Sequence, residues 1–333
     1  MVVGRNYVQG LDLLRGICGY VVAVCHYQWL VNKVNYFEYI SILFVEFFFI
    51  LSGFVLAPQL IKIIKEKKFI MIFFKRRWLR TIPLYLLSLI IVSIITNNLF
   101  NKDFLFYFFF LNKSLPNLLE NDYFAVAWSL AVEEYFYLIF PLVIYLFFNE
   151  ENFKKKSINF FIILSVIAIF SSFFVDNNFY RTGTFLRIDS ILCGFLLAIF
   201  FIETKIKLKF ILTFLIVLIL LYFYFYKFKL YSSDIFYVKI LFLYLIKVIS
   251  IFILLLFYKI NLGLYFTKIF QLFANQTYSI YLLHLPLIYI INSQKDLNLN
   301  LFQYCLLLFI ISTLVYYLFE KPILSIRPKY EKD

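Results

Sequence analysis

The stretch LDLLRGICGYVVAVCHYQWL, Leu11 to Leu30, decides how the chain is read. It is long and apolar enough to cross a bilayer as one helix, yet it carries Asp12, Arg15 and His26. An ionisable side chain in hydrocarbon costs roughly 2.5–3.5 kcal/mol on insertion scales, so such residues face a partner, a cavity or a substrate. Arg15 and His26 stand 11 positions apart. At ~100° per residue they fall within ~20° of one another on the helix, ~16 Å apart along its axis. One face therefore carries a fixed cation near one membrane surface and a titratable imidazole toward the other.

The composition fits that reading. Of 333 residues, 64% are hydrophobic and 15% charged, and the mean hydropathy is +0.88. Such a chain is a polytopic all-α membrane protein. The first apolar stretch has full span length and no small-residue cleavage site, so it reads as a span and not as a leader. Ten spans are predicted, at 10–31, 39–61, 78–97, 124–148, 157–175, 184–203, 208–227, 236–258, 270–292 and 300–320. The run Phe104–Leu111 is too short to cross. No linker or repeat divides the chain, which reads as one domain over residues 1–333. The four cysteines lie in apolar segments without metal spacing and read as small apolar residues, with no metal site.

Basic residues set the orientation. With the N-terminus in the cytoplasm, 20 of the 32 Lys and Arg residues fall inside, including Arg5, Lys205, Lys332 and the cluster from Lys62 to Arg77. Seven, among them Lys33, Lys113, Arg181 and Lys295, fall outside, and both termini are cytoplasmic. The net charge of +13 is then a topology signal, and nucleic acid is excluded as a partner.

Depth follows from orientation. Asp12, Arg15, Arg77 and Arg80 form an inner cationic layer; His26, Glu46, Glu133, Arg187, Asp189 and His284 form an outer mixed one. Guanidinium groups suit a polyanion such as a nucleotide phosphate, and the histidines and carboxylates suit proton transfer. Each residue alone also has a structural reading. Arg77 belongs to the topology cluster, Glu46 and Glu133 are possible interhelical partners of Arg187, and His284 fits a packed, backbone-bonded histidine. Glu320 reads as a structural pair with Lys321 or as a helix end. The two layers together are what those readings leave unexplained.

Several blocks resemble the acyltransferase-3 family of integral membrane acyltransferases. LDLLRGICGYVVAVCHY is similar to its first-helix signature, VEFFFILSGFVLA to its second-helix block with Glu46 in place of the commoner Asp, and RRWLRTIPLYLL to its Arg-x-x-Arg motif through Arg77 and Arg80. AWSLAVEEYFYLIFPL places Glu133 at the family glutamate, and RIDSILCG, TYSIYLLHLP and FEKP resemble later blocks.

The resemblance implies ten membrane helices in a bacterial inner membrane, among its lipids, and an acyl-CoA donor (acetyl-CoA favoured) entering from the cytoplasm. It implies a hydroxyl acceptor at the outer side, such as an envelope polysaccharide or a lipid-linked sugar, and a role in activity for Arg15, His26, Arg77 and Arg80. Some members carry a C-terminal extracytoplasmic domain; the end at Asp333 predicts the stand-alone type.

On this reading Arg15, Arg77 and Arg80 hold the CoA phosphates and His26 takes the acceptor proton. Glu46 or Glu133 orients the imidazole, and Arg187 or Tyr281 stabilises the oxyanion. Ser52 is read as packing, so transfer is direct. The alternative is a multi-span transporter of an anionic solute, which predicts Gly/Pro-broken helices in an inverted repeat.

Overall fold

A computed structural model describes residues 2–3, 6–201, 207–294 and 299–330. Arg5, Lys205, Lys295 and Lys332 of the charge count, and the last two residues of the predicted span 184–203, lie outside the described residues. Val2–Val3 (β1) pairs antiparallel with Asn6–Tyr7 (β2), and helices make up the rest of the fold. They run Gln9–Leu30 (α1), Asn35–Lys65 (α2), Phe69–Ile95 (α3), Lys102–Phe108 (α4), Ala127–Phe147 (α5), Phe153–Ser171 (α6) and Asn177–Thr182 (α7). Ile188–Phe201 (α8), Leu208–Lys227 (α9), Phe236–Tyr258 (α10), Leu264–Ser293 (α11) and Leu301–Val315 (α12) follow. A π-turn, Tyr316–Glu320, leads into the last helix, Lys321–Ser325 (α13).

A helix lies over each of the ten predicted stretches. Among the described residues, six are long and apolar enough to cross a membrane: α2, α3, α5, α9, α10 and the segment Leu301–Ser325. Their outward faces fit lipid. On α9, Phe214, Ile216, Val217, Leu220 and Phe223 are all exposed, an apolar surface that water would not tolerate at this extent. Some helix starts are capped by side chains. Asp176 accepts from Phe179 N at 2.6 Å at the start of α7, and Asn300 and Gln303 form a reciprocal capping box on α12.

Two boundaries differ from the sequence expectation. Helix α3 begins nine residues early, at Phe69, because Lys75, Arg76 and Arg77 are good helix formers that extend the helix before the apolar run. Helix α8 begins at Ile188, so Arg187 sits just before the first turn and not one turn inside.

At the centre, α2 crosses α8 at backbone contact. A Cβ on Gly53 would overlap the Ile191 carbonyl, and one on Gly194 would overlap the Ile50 carbonyl. This reciprocal small-residue contact is how membrane helices approach closely without a hydrophobic drive between them. It brings Glu46 on α2 against Arg187 at the head of α8. Helix α1 lies in the same direction as α11, with Gln9 Nε2 donating to Thr267 Oγ1 at 2.6 Å and Thr277 Oγ1 donating to the Arg15 carbonyl at 3.3 Å.

Candidate active site

Further along the α1–α11 contact, His26 Nδ1 lies 2.8 Å from His284 Nε2, with the rings 5.0 Å apart and inclined by 25°. The proton positions follow from the partners. His284 Nδ1 is 3.2 Å from the Ile280 carbonyl, which only accepts, so Nδ1 carries the hydrogen. The neutral His284 ring then offers Nε2 as an acceptor, and His26 Nδ1–H donates to it. His26 is left with its lone pair on Nε2, the protonation state a general base requires.

His26 is half-buried and lines a cavity of about 520 Å³. Glu46 and Arg187 lie in its wall, ion-paired through Glu46 Oε2 and Arg187 Nη2, with their side chains 0% and 2% exposed. Arg187 Nε and Nη1 and Glu46 Oε1 are buried without a hydrogen-bond partner among the described residues. Two more pairs, Lys113–Asp122 at 2.7 Å and Arg181–Glu38 at 3.8 Å, stand on the same wall.

A second cavity, about 450 Å³, lies at the Arg15 end of α1. Arg15, Arg76, Arg77, Arg80 and Arg327 line it, with Glu133 the acidic side chain among them. Glu133 accepts from the Tyr137 hydroxyl at 2.8 Å, and the Tyr137 oxygen is 3.0 Å from Ser52 Oγ. The single Tyr137 proton goes to the carboxylate, so Ser52 is the donor to Tyr137. Arg77 Nη2 donates to Gln59 Oε1 at 3.1 Å. Val45 and Tyr281 line both cavities and so form part of the wall they share. The Tyr281 hydroxyl is engaged, 2.5 Å from Ser129 Oγ and 3.2 Å from the Val126 carbonyl.

The acyltransferase domain pattern matches residues 8–321. The chain belongs to the acyltransferase-3 family. It is similar to the O-acetyltransferase OatA of Staphylococcus aureus (strain NCTC 8325 / PS 47), 30% identical over 218 residues. That match covers 58% of this chain and 34% of OatA, so it spans about a third of the relative's length. An uncharacterised protein of Haemophilus influenzae is 31% identical over 191 residues, covering 49% of this chain and 77% of that protein. No solved structure matches. With the six apolar helices, membership of this family makes the chain a multi-pass membrane protein.

The predicted residues of this acyltransferase-family chain therefore fall into two groups. Arg15, Arg77 and Arg80 meet in one cavity and His26, Glu46 and Arg187 in the other, while Glu133, expected in the outer layer with His26, lies among the arginines instead. The expected carboxylate support of His26 takes a different form. Glu46 is held by Arg187, the stronger partner for a buried carboxylate, and Glu133 by Tyr137; the imidazole partner is His284. Glu320 is bonded by Ser279 on α11 and not by Lys321, because the π-turn rotates it inward.

Sequence reasoning missed the roles of Arg76 and Arg327 and the buried pair Lys247–Asp189 between α10 and α8. A lysine inside an apolar run is itself a signal that could have exposed that pair. Among the described residues, no group of three or more His, Cys, Asp or Glu side chains is arranged to hold a metal ion.

Proposed function

We propose that this protein is a membrane O-acyltransferase with ten spans and both termini in the cytoplasm, seated in a bacterial inner membrane. It moves an acyl group, acetyl by preference, from cytoplasmic acyl-CoA to a hydroxyl of an envelope polysaccharide or lipid-linked sugar. The observation that carries this reading is the pair of cavities with Val45 and Tyr281 in their shared wall, one lined by arginines and the other by His26, which is bonded to His284.

In this mechanism Arg15, Arg77 and Arg80 bind the CoA phosphates by charge-assisted hydrogen bonds. The pantetheine arm runs past Val45 and Tyr281 and presents the thioester beside His26. His26 Nε2 takes the acceptor's hydroxyl proton as the oxygen attacks the thioester carbonyl carbon. Charge gathers on the carbonyl oxygen, and Arg187 is the favoured stabiliser because two of its donor nitrogens have no partner among the described residues, whereas the Tyr281 hydroxyl is engaged. Collapse breaks the carbon–sulfur bond, and the imidazolium proton goes to the leaving thiolate. Glu46 fixes the Arg187 head group. Ser52, spent as a donor to Tyr137, supports direct transfer over a serine-bound intermediate.

The test is transfer from radiolabelled acetyl-CoA to a lipid-linked glycan by the purified full chain. Labelled product is expected, lost in His26→Ala and retained in Cys18→Ser. Counterflow of an intact anionic solute with no labelled product would overturn the reading in favour of a carrier.

A further inference from the structure

The chain beyond α13 folds back onto the arginine cavity. Arg76 Nη1 donates to the Pro328 carbonyl at 2.7 Å. The Tyr330 ring lies 5.1 Å from Lys62 Nζ and 5.3 Å from Arg76 Cζ, and meets the Phe69 ring edge-on at 5.4 Å. Its hydroxyl is 3.5 Å from Gln59 Oε1, the oxygen that also accepts from Arg77. These contacts hold residues 326–330 as a strap, and the strap carries Arg327 into the cavity wall.

Arg327 is an expensive residue to place there. Burial, together with the guanidinium groups of Arg80, Arg76 and Arg77, pushes it down to about 10. Five guanidinium groups line the cavity beside one carboxylate, Glu133, with Glu134 and Glu320 close behind Arg77 and Arg80. Arg76 Nε and Arg77 Nε are buried with no hydrogen-bond partner among the described residues. A diphosphate diester carries one negative charge on each phosphate, and its two phosphates need not engage all five guanidinium groups. A phosphomonoester adds roughly −1.5 to −2 and three strong acceptor oxygens.

We propose that Arg327, carried on the strap, completes a phosphomonoester subsite, so that the site selects a donor bearing a free phosphate beside its diphosphate. In CoA that group is the 3′-phosphate of the ribose, and dephospho-CoA lacks it. The inference rests on the reading of the arginine cavity as the acyl-CoA site and adds the part of the donor that is recognised.

The experiment is isothermal titration of CoA and of dephospho-CoA into the full chain in neutral-lipid nanodiscs, beside KM values for their acetyl thioesters. The wild type is expected to bind CoA about tenfold or more tightly than dephospho-CoA, the scale of one lost charge-assisted contact. Arg327→Gln removes most of that ratio and leaves dephospho-CoA binding within about twofold, while Arg327→Lys, which keeps the charge but not the fork, retains part of it. A merely structural strap would weaken both ligands equally, and that result overturns the proposal, as does a wild type with no preference. Discrimination between the ligands without acetyl transfer upholds the subsite and overturns the acyl-transfer reading. Failure of the wild type to bind either ligand overturns both.

Discussion

His26 Nδ1 and His284 Nε2 are hydrogen-bonded across α1 and α11 at 2.8 Å, and the Ile280 carbonyl fixes which nitrogen of each ring carries the proton. In the proposed mechanism His284 acts through His26 as a positioning residue. His26→Ala is expected to lower kcat by about 10²–10⁴-fold, the usual worth of a general base. His284→Phe keeps the ring volume but cannot accept from Nδ1, and it is expected to cost about 10²-fold in kcat with little change in donor KM. A His284→Phe enzyme with wild-type kcat would sink the assignment.

Glu46 and Arg187 form an ion pair with almost no exposure. Removing one partner leaves the other charge buried and uncompensated. Glu46→Ala is therefore expected to destabilise the protein by about 3–5 kcal/mol, read as a fall in the thermal unfolding midpoint in detergent. The double variant Glu46→Leu with Arg187→Met restores most of that stability, since an apolar pair of similar volume replaces a buried ionic one at little cost. Activity stays low in the double variant if Arg187 faces the developing oxyanion. Recovered transfer would assign the pair to structure alone.

The α2–α8 crossing admits no side chain at Gly194, where even a methyl group meets the Ile50 carbonyl. Gly194→Ala is expected to push the helices apart and cost about 1–3 kcal/mol, with Gly194→Leu failing to fold. Because the same crossing seats Glu46 against Arg187, the alanine variant should also lose transfer out of proportion to its stability. A variant with native melting and native activity would refute the close approach.

Arg327 yields a prediction in pH and salt. Its value in the folded protein is lowered to about 10, below that of an ordinary guanidinium. Below about 10 both folded and unfolded chains hold the proton, so the cost to stability is fully present at neutral pH. It is relieved as pH rises through about 10, where the folded state gives the proton up first. Arg327→Gln is accordingly expected to melt above the wild type at neutral pH and low salt without donor, and the gap should narrow as ionic strength rises. A lower melting point for the variant would contradict the repulsion inferred for this cluster.

Much of this architecture is legible in the residues, and the failures have physical causes. The shared face of Arg15 and His26 follows from helical periodicity, and the structure places the two side chains in the walls of two neighbouring cavities. The limits of α9 and α10 coincide with the predicted 208–227 and 236–258 because Gly, Pro and charged residues are absent from their interiors or confined to single lysines. What periodicity does not carry is which helix lies beside which. His26 and His284 are 258 positions apart, and their contact depends on α1 packing along α11. The six-residue α7 has too few residues for a period to show, although Asp176 and Asn177 give a capping signal. Arg327 escapes notice because its place depends on the π-turn at Tyr316–Glu320 and the fold-back that follows.

The wall that the two cavities share at Val45 and Tyr281 has a consequence for the cell that carries this protein. A wide bore through the bundle would let protons and ions run down their electrochemical gradient. In the proposed orientation a bulky nucleotide stopped among the arginines serves as a plug on one side, while only a slim thioester arm reaches across. On that proposal the enzyme exports a chemical group while the membrane keeps its voltage.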